Sequence, residues 1–206
     1  MFEVGQSSPI INTPSTTGTG ANTQAGSVQP VSRDDSFTQI GNTVSAVAAG
    51  GAASFKYSST FSNSLKTTIT DIKAAEGGMG KVKASLPGVK SIGMTTLKAG
   101  GIGALVSGAI SAISNGVDVL RGKKTGAEAV STFAADTANG TVSAMTGVAA
   151  GGLATFALGS MLAGTPLLIV GVGVGALGAI LGDRLFKGSG AYDAIRGSMI
   201  NTTSQK

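Results

Sequence analysis

The 206-residue chain is rich in small and apolar residues and poor in charge, aromatic rings and reactive side chains. Charged residues make up 12%, half of the about 25% usual for soluble domains. The 33 glycines show no period of three and there are only 5 prolines, which excludes a collagen-like fibre. The chain contains no His and no Cys, so it lacks the commonest general base and the commonest transition-metal ligands. We therefore expect no catalytic, cofactor-binding or metal-binding residue, no small-molecule substrate and no enzymatic activity.

The basic balance of the chain indicates an anionic partner. The net charge is +5 and the isoelectric point about 9.6. Nucleic acid and an anionic membrane surface both fit such a charge. Aromatic residues are only 4% of the chain, so few side chains are available to stack on bases. The membrane surface is the better interpretation.

Residues 1–35 are predicted to form a disordered or extended polar tail, because Ser, Thr, Gly and Pro follow one another without a period. No basic segment followed by an apolar run opens the chain, so a classical signal peptide is not predicted. A plain flexible tail, a delivery signal and a docking arm all remain open.

Residues 36–88 are predicted to be a weakly amphipathic helical or linker region. A first helix is expected to end near Gly50-Gly51. A second candidate, Leu65 to Glu76, has apolar residues at helical spacing and is expected to end at Gly77-Gly78-Met79-Gly80. Pro87-Gly88 is predicted to be a turn.

Residues 89–200 are predicted to form a helical membrane domain, followed by a polar tail at 201–206. Its first helix spans about Val89 to Leu120. The 19 residues from Ala99 to Val117 carry no charge, near the about 20 needed to cross a hydrocarbon core. The second helix begins with a capping-box pattern, Thr125 followed by Glu128, and can continue to Ala163.

The chain is organised around Thr137 to Gly182, which is 46 residues long and carries no charge. Gly164, Thr165 and Pro166 predict a turn within this segment, with Thr165 as the N-cap of a third helix and Pro166 at its first position. That helix is expected to run to Lys187, with Gly188 just beyond it. A short amphipathic helix, Ala191 to Ile200, is expected to follow.

Small residues repeat with the same spacing on all three apolar helices. Offsets of 0, 4, 7 and 11 place them on one stripe of each helix, so the stripes are predicted to be helix-packing faces. The residues are Gly100, Ala104, Ser107 and Ser111 on the first helix, Gly140, Ala144, Gly147 and Gly151 on the second, and Gly171, Gly175, Gly178 and Gly182 on the third.

With these stripes, residues 98–187 resemble the glycine-zipper hairpins of membrane-inserting proteins, which include secreted pore-formers, type III translocators and effectors, and phage ejection proteins. The resemblance is one of motif class and carries over no family's functional residues. It implies an all-α, glycine-rich hairpin fold with two or three membrane-capable helices. A competing G-x-G-x-x-G pattern, Gly173 to Gly178, follows Leu167 to Val170, which could form a buried strand. A dinucleotide site would also require a second strand and further βα units, and the 28 residues after Gly178 do not offer them.

The uncharged turn permits insertion from one side, because no Lys, Arg, Asp or Glu near it must cross the bilayer. Asp136 and Asp183 border the uncharged segment and are expected to mark the membrane interface or to line a pore mouth. The basic residues expected at the membrane surface are Arg121, Lys123, Lys124, Arg184, Lys187 and Arg196.

The sequence thus predicts a membrane-active protein, carried in a virion or secreted without a classical signal peptide, that inserts its hairpin into a target membrane. The expected partners are the lipid bilayer and other copies of the chain, as a homo-oligomer or larger assembly. Such an oligomer could form a channel for solutes or nucleic acid. The alternative is a structural subunit, or a membrane-anchored component, of a virion or envelope that packs through the same faces.

Overall fold

The computed structural model describes residues 33–203, and every regular element in this range is an α-helix. The helices are α1 (Arg33–Ala74), α2 (Gly77–Leu120), α3 (Gly126–Leu158), α4 (Thr165–Gly188) and α5 (Ala191–Thr203). The all-α prediction is confirmed. The tail predicted at residues 1–35 lies outside the described residues except for 33–35, which belong to α1, and residues 204–206 also lie outside them.

Helices α1 to α4 form a bundle in which consecutive helices are antiparallel, and α3 is its central element. It packs against each of the other four helices, while α1 packs against α2, α3 and α4. Within the described chain, α2 and α4 have no contact with each other. Therefore α1 and α3 form the middle of the bundle, with α2 and α4 on opposite flanks and α5 across the base of α3 and α4.

The α1–α2 and α3–α4 connections lie at one end of the bundle, and the α2–α3 and α4–α5 connections lie at the other. The α1–α2 connection and the α3–α4 turn share the end that we call the tip. The α2–α3 connection, the start of α3 and the end of α4 share the end that we call the base. The hydrogen bond between Asn139 of α3 and Asp183 of α4, and that between Asp136 of α3 and Tyr192 of α5, tie the base together.

The α1–α2 pair extends further towards the tip than the α3–α4 pair. Phe61 of α1 contacts Gly152 of α3, which fixes the relative height of these two helices. From those positions α1 continues for 13 residues to Ala74 and α3 for 6 residues to Leu158. At 1.5 Å per residue, α1 therefore projects about 10 Å beyond the end of α3.

Two predicted breaks in the first half of the chain, a helix end and a turn, are wrong. Gly50-Gly51 lies inside α1, where Gly50 packs closely against Ala179 of α4. Pro87-Gly88 lies inside α2, and Gly88 packs directly on Thr68 of α1. Pro87 removes the helical donor for the carbonyl of Lys83, but this side of α2 is exposed and water can bond that carbonyl.

A helix does end just before Gly77 to Gly80, as predicted, because α1 stops at Ala74, but the same glycines also begin α2. Gly77 has a φ of +69°, a left-handed conformation that glycine adopts without strain, and it allows a tight reversal after α1. The domain boundary drawn at residue 88 falls within α2, and that drawn at residue 200 falls within α5.

The later boundaries agree better with the sequence. The Thr125 side chain accepts a hydrogen bond from the backbone N–H of Glu128, and the Glu128 carboxylate accepts one from the backbone of Thr125, so the capping box is present. However, α3 ends at Leu158 rather than Ala163. The N-cap of α4 is Gly164, with Thr165 as the first helical residue, and the Thr165 side chain is not a cap.

Candidate functional site: small-residue faces and a polar base

The α3–α4 interface is made of glycine backbones in close contact. A β-carbon on Gly151 would overlap the carbonyl oxygen of Gly171, and one on Gly147 would lie 2.8 Å from the carbonyl oxygen of Gly175. On Gly178 it would lie 2.5 Å from the β-carbon of Ala150. The two helices are therefore so close that the predicted glycines leave no room for a larger side chain.

The α3 stripe serves two different neighbours. Its base half faces α2, where Gly140 meets Ser107 and Gly103. Its tip half faces both α4 and α1, because Gly147 contacts Gly50 and Gly151 contacts Ser54. The predicted stripes on α2 and α4 therefore both pack against the predicted stripe on α3.

Eleven of the twelve predicted packing residues are buried, and Ala104 is half-buried. Gly103, which was not predicted, takes the close position on α2 next to Ala144. Gly100 packs on Met145 and Thr141 of α3. At this height of the bundle, the residue of α2 in closest contact with α3 is therefore Gly103 rather than the predicted Ala104.

A fourth small-residue face, on α1, was missed by the sequence reasoning. Its buried members are small residues spaced three and four apart along the helix, so the same spacing signal was present. They are Ala46, Ala49, Gly50, Ala53, Ser54 and Ser58. This face closes the bundle over α3 and α4.

The outside of the bundle carries the large apolar side chains. The fully buried side chains are small, and Val148 is the largest of them. By contrast, Leu177 is 63% exposed and Leu185 is 71% exposed on α4, and Leu153 is exposed on α3. A protein folded for water buries Leu and Ile preferentially. The described bundle has the opposite arrangement, with Gly, Ala and Ser inside and Leu and Ile outside.

Among the described helices, α2, α3 and α4 are long and apolar enough to cross a bilayer. The best 18-residue windows have a mean hydropathy of 1.4 in α2, 1.4 in α3 and 2.0 in α4. Only 28% of the α4 window is buried inside the bundle, so most of its surface is available to lipid. Length, composition and exposure are consistent with a membrane location.

The α3–α4 turn lies at the tip, is exposed and carries no charge. Gly164 has a φ of +64°, which explains a glycine at this N-cap position. Thr165 and Pro166 are both exposed on the first turn of α4. The predicted turn residues therefore do form the turn, with their roles shifted by one position.

Asp136 and Asp183 lie within the polar base of the bundle. The Ser111 hydroxyl and the Tyr192 hydroxyl donate to Asp136 at 2.6 and 2.7 Å. The Asn139 amide donates to Asp183 at 2.5 Å, and Lys187 forms a 2.7 Å ion pair with the same carboxylate. Both acids therefore connect helices to one another: Asp136 joins α2, α3 and α5, and Asp183 joins α3 and α4.

A cavity of about 240 Å³ lies beside Asp136 between α1, α2 and α3. Lys124 reaches it from the α2–α3 connection, donating to the amide oxygen of Asn115 at 2.8 Å and pairing with Asp118 at 3.1 Å. The Asn139 amide oxygen is buried without a hydrogen-bond partner in the described structure. Polar side chains take part in the lining of the cavity, and their hydrogen bonds mainly join the helices at the base.

Burial and the hydrogen bond to Asp136 both raise the pKa of Tyr192, burial having the larger effect. The hydroxyl therefore stays protonated as a donor throughout the physiological range.

The six basic residues predicted for the membrane surface all lie at the base, where five carboxylates of α2 to α5 accompany them. Two of the six form ion pairs, Lys124 with Asp118 and Lys187 with Asp183. Arg121, Lys123 and Arg184 are exposed, and Arg196 is half-buried. The charge of the base is thus close to balanced.

Among the side chains that the structure describes, no group of three or more His, Cys, Asp or Glu could hold a metal ion. The G-x-G-x-x-G pattern from Gly173 to Gly178 lies in the middle of α4 and follows no strand, so it does not form a dinucleotide-binding turn. Comparison with protein-family models, curated proteins and solved structures finds no match to this chain.

Proposed function

We propose that this protein is membrane-active and inserts the α3–α4 hairpin into a target bilayer after delivery from a virion or a secretion system. The observation that carries the proposal is the inverted distribution of side-chain size, with Leu and Ile exposed around a core of Gly, Ala and Ser. In lipid, helices associate through close packing of small residues, and large apolar side chains face the acyl chains without cost.

The hairpin is suited to entry with its turn first. From Thr137 to Gly182 no side chain carries a charge, and Asp136 and Asp183 both lie at the base. A charge at the centre of a bilayer costs about 2.5–3.5 kcal/mol or more. An uncharged turn avoids that cost, while the charged base stays on the side of entry. Further copies packing on the exposed faces would then produce an oligomer or channel.

The experiment uses the absence of cysteine from the chain. Thr165→Cys marks the turn and Gly188→Cys marks the base, and both positions are exposed in the bundle. Each variant is incubated with vesicles and then treated with a membrane-impermeant thiol reagent. We expect both cysteines to react in solution, and only Gly188→Cys to react once the protein is bound to vesicles. Detergent should restore the reaction at position 165.

Equal reaction at position 165 with and without vesicles would overturn insertion. In that case the alternative, a structural subunit that buries the same apolar surface against other copies, predicts large assemblies without lipid. Release of a dye trapped in the vesicles tests the channel separately, because a hairpin can insert without forming a pore.

A further inference from the structure

The tip of the bundle carries an excess of positive charge that the base does not. Between residues 65 and 90 there are five lysines and two carboxylates, for a net charge of +3. All five lysines are exposed, and neither ion pair in the described structure involves one of them. They are Lys66, Lys73, Lys81, Lys83 and Lys90.

Exposed apolar side chains run along the first half of α2 between these lysines. Met79, Val82, Leu86 and Val89 are spaced three and four apart, so they form one stripe on the helix. Met79 is 72% exposed and Leu86 is 60% exposed, so the stripe is not used in packing against α1. The opposite side of this helix segment packs on α1, where Gly88 meets Thr68 and Ser91 bonds Ser64.

An apolar stripe flanked by lysines fits the headgroup layer of an anionic bilayer. The apolar side chains enter the boundary of the acyl region, and the lysines reach the lipid phosphates and carboxylates. We propose that this face, which we call the tip face (Met79, Val82, Leu86 and Val89 with the five lysines), binds the surface of an anionic lipid membrane.

The tip face also determines which end of the molecule approaches the membrane. It stands at the same end as the uncharged α3–α4 turn and projects about 10 Å beyond the end of α3. Binding through the tip face brings that turn towards the bilayer and leaves the charged base in water. The role in insertion rests on the proposed function, whereas binding to an anionic surface does not.

The test compares two triple variants with the same change in charge. Lys81→Gln/Lys83→Gln/Lys90→Gln removes three charges from the tip face, and Arg121→Gln/Lys123→Gln/Arg184→Gln removes three from the base. All six side chains are exposed, so both variants should fold, which circular dichroism checks. Flotation of the full chain measures binding to vesicles of phosphatidylcholine alone or with phosphatidylserine.

We expect wild-type protein to prefer the vesicles that contain phosphatidylserine, and added salt to weaken that preference. The tip variant should lose affinity for them by about 100-fold, and the base variant by only a few-fold. Leu86→Ser, in contrast, should weaken binding to both kinds of vesicle.

Equal losses in the two triple variants would overturn the proposal, because net charge alone would then explain binding. Equal binding of wild-type protein to the two vesicle types would also overturn it. So would tip-dependent binding to duplex DNA without a preference for anionic lipid. Tip-dependent binding without protection of Thr165→Cys would instead disprove hairpin insertion while leaving this proposal intact.

Discussion

Neighbouring glycines on α4 have different surroundings and therefore different costs. A β-carbon on Gly175 would overlap the Ser54 hydroxyl and lie 3.0 Å from the carbonyl oxygen of Gly147. A β-carbon on Gly173 would meet nothing within 4 Å. Both glycines lie inside the same helix, so the intrinsic gain from replacing glycine by alanine is the same at the two positions.

Gly175→Ala is therefore expected to lower the free energy of unfolding by about 1–3 kcal/mol, because it overpacks the helix interface. Gly173→Ala is expected to raise it by about 0.5–1 kcal/mol, because alanine favours the helix and meets no obstacle. Thermal or chemical unfolding of both variants in the same detergent gives the comparison. Changes of the same sign at both positions would contradict the close contact at Gly175.

Tyr192 offers a second prediction for a single side chain. Tyr192→Phe leaves the Asp136 carboxylate with Ser111 as its remaining described donor. We expect the free energy of unfolding to fall by about 1–3 kcal/mol, the cost of a partly buried acceptor that loses a bond. Asp193→Asn, an exposed neighbour, is the control and should have little effect in the same denaturant titration.

The pH dependence of this contact follows from the raised pKa of Tyr192. A group whose pKa is higher in the folded state contributes stability that is complete below its unfolded pKa, about 10 for tyrosine. The contribution is lost as the pH rises through the folded pKa. In a pH titration followed by tyrosinate absorbance, Tyr192→Phe should remove one ionisation step, and that step should lie above pH 10. A removed step near the ordinary value would contradict burial of the hydroxyl.

At the scale of the helices, local sequence predicted starts and apolar spans better than helix interiors. The capping box at Thr125 is a short-range signal, and it is present. The uncharged span after Asp136 and the turn at Gly164 were also visible, because charge and turn chemistry are local properties. The all-α class followed from the same signals.

Glycine and proline inside α1 and α2 misled the prediction because long-range contacts determine their conformation. Gly50 is helical since it fits against Ala179, which is more than a hundred residues away in the chain. Gly88 is helical beside Pro87 since it fits against Thr68. The sequence shows these residues as helix breakers, and only the packed bundle shows that they permit close contact. For the same reason the central position of α1 could not be predicted.

At the scale of the whole molecule, the proposal of entry from one side predicts a sensitivity to charge at the turn. Thr165→Lys places a cation at the end that must cross the bilayer first. The cost of about 2.5–3.5 kcal/mol corresponds to a rate of insertion lower by about two orders of magnitude. The rate is measured with Ala163→Cys added to each variant. The fraction of this cysteine that is protected from a membrane-impermeant thiol reagent is followed over time after vesicles are added.

Two controls separate charge from other effects. Thr165→Asn keeps a polar, uncharged side chain at the turn, and Gly188→Lys adds the same cation at the base, where a side chain meets nothing within 4 Å. Both should insert at close to the wild-type rate. Slow insertion of Gly188→Lys as well would indicate that the base, rather than the turn, enters the membrane.

The small-residue core also bears on how firmly the helices are held along their axes. Large interlocking side chains fix the axial register of packed helices, but here glycine and alanine faces oppose each other along much of α4. A slide of one helical turn, about 5.4 Å, again places small residues opposite small residues. Among the described residues, the Phe61 ring against Gly152 holds the register of α1 on α3, and Val148 is the largest side chain that is fully buried. We therefore expect that α4, whose contacts are made by small residues, shifts along its neighbours more easily than α1 does, without first separating from them.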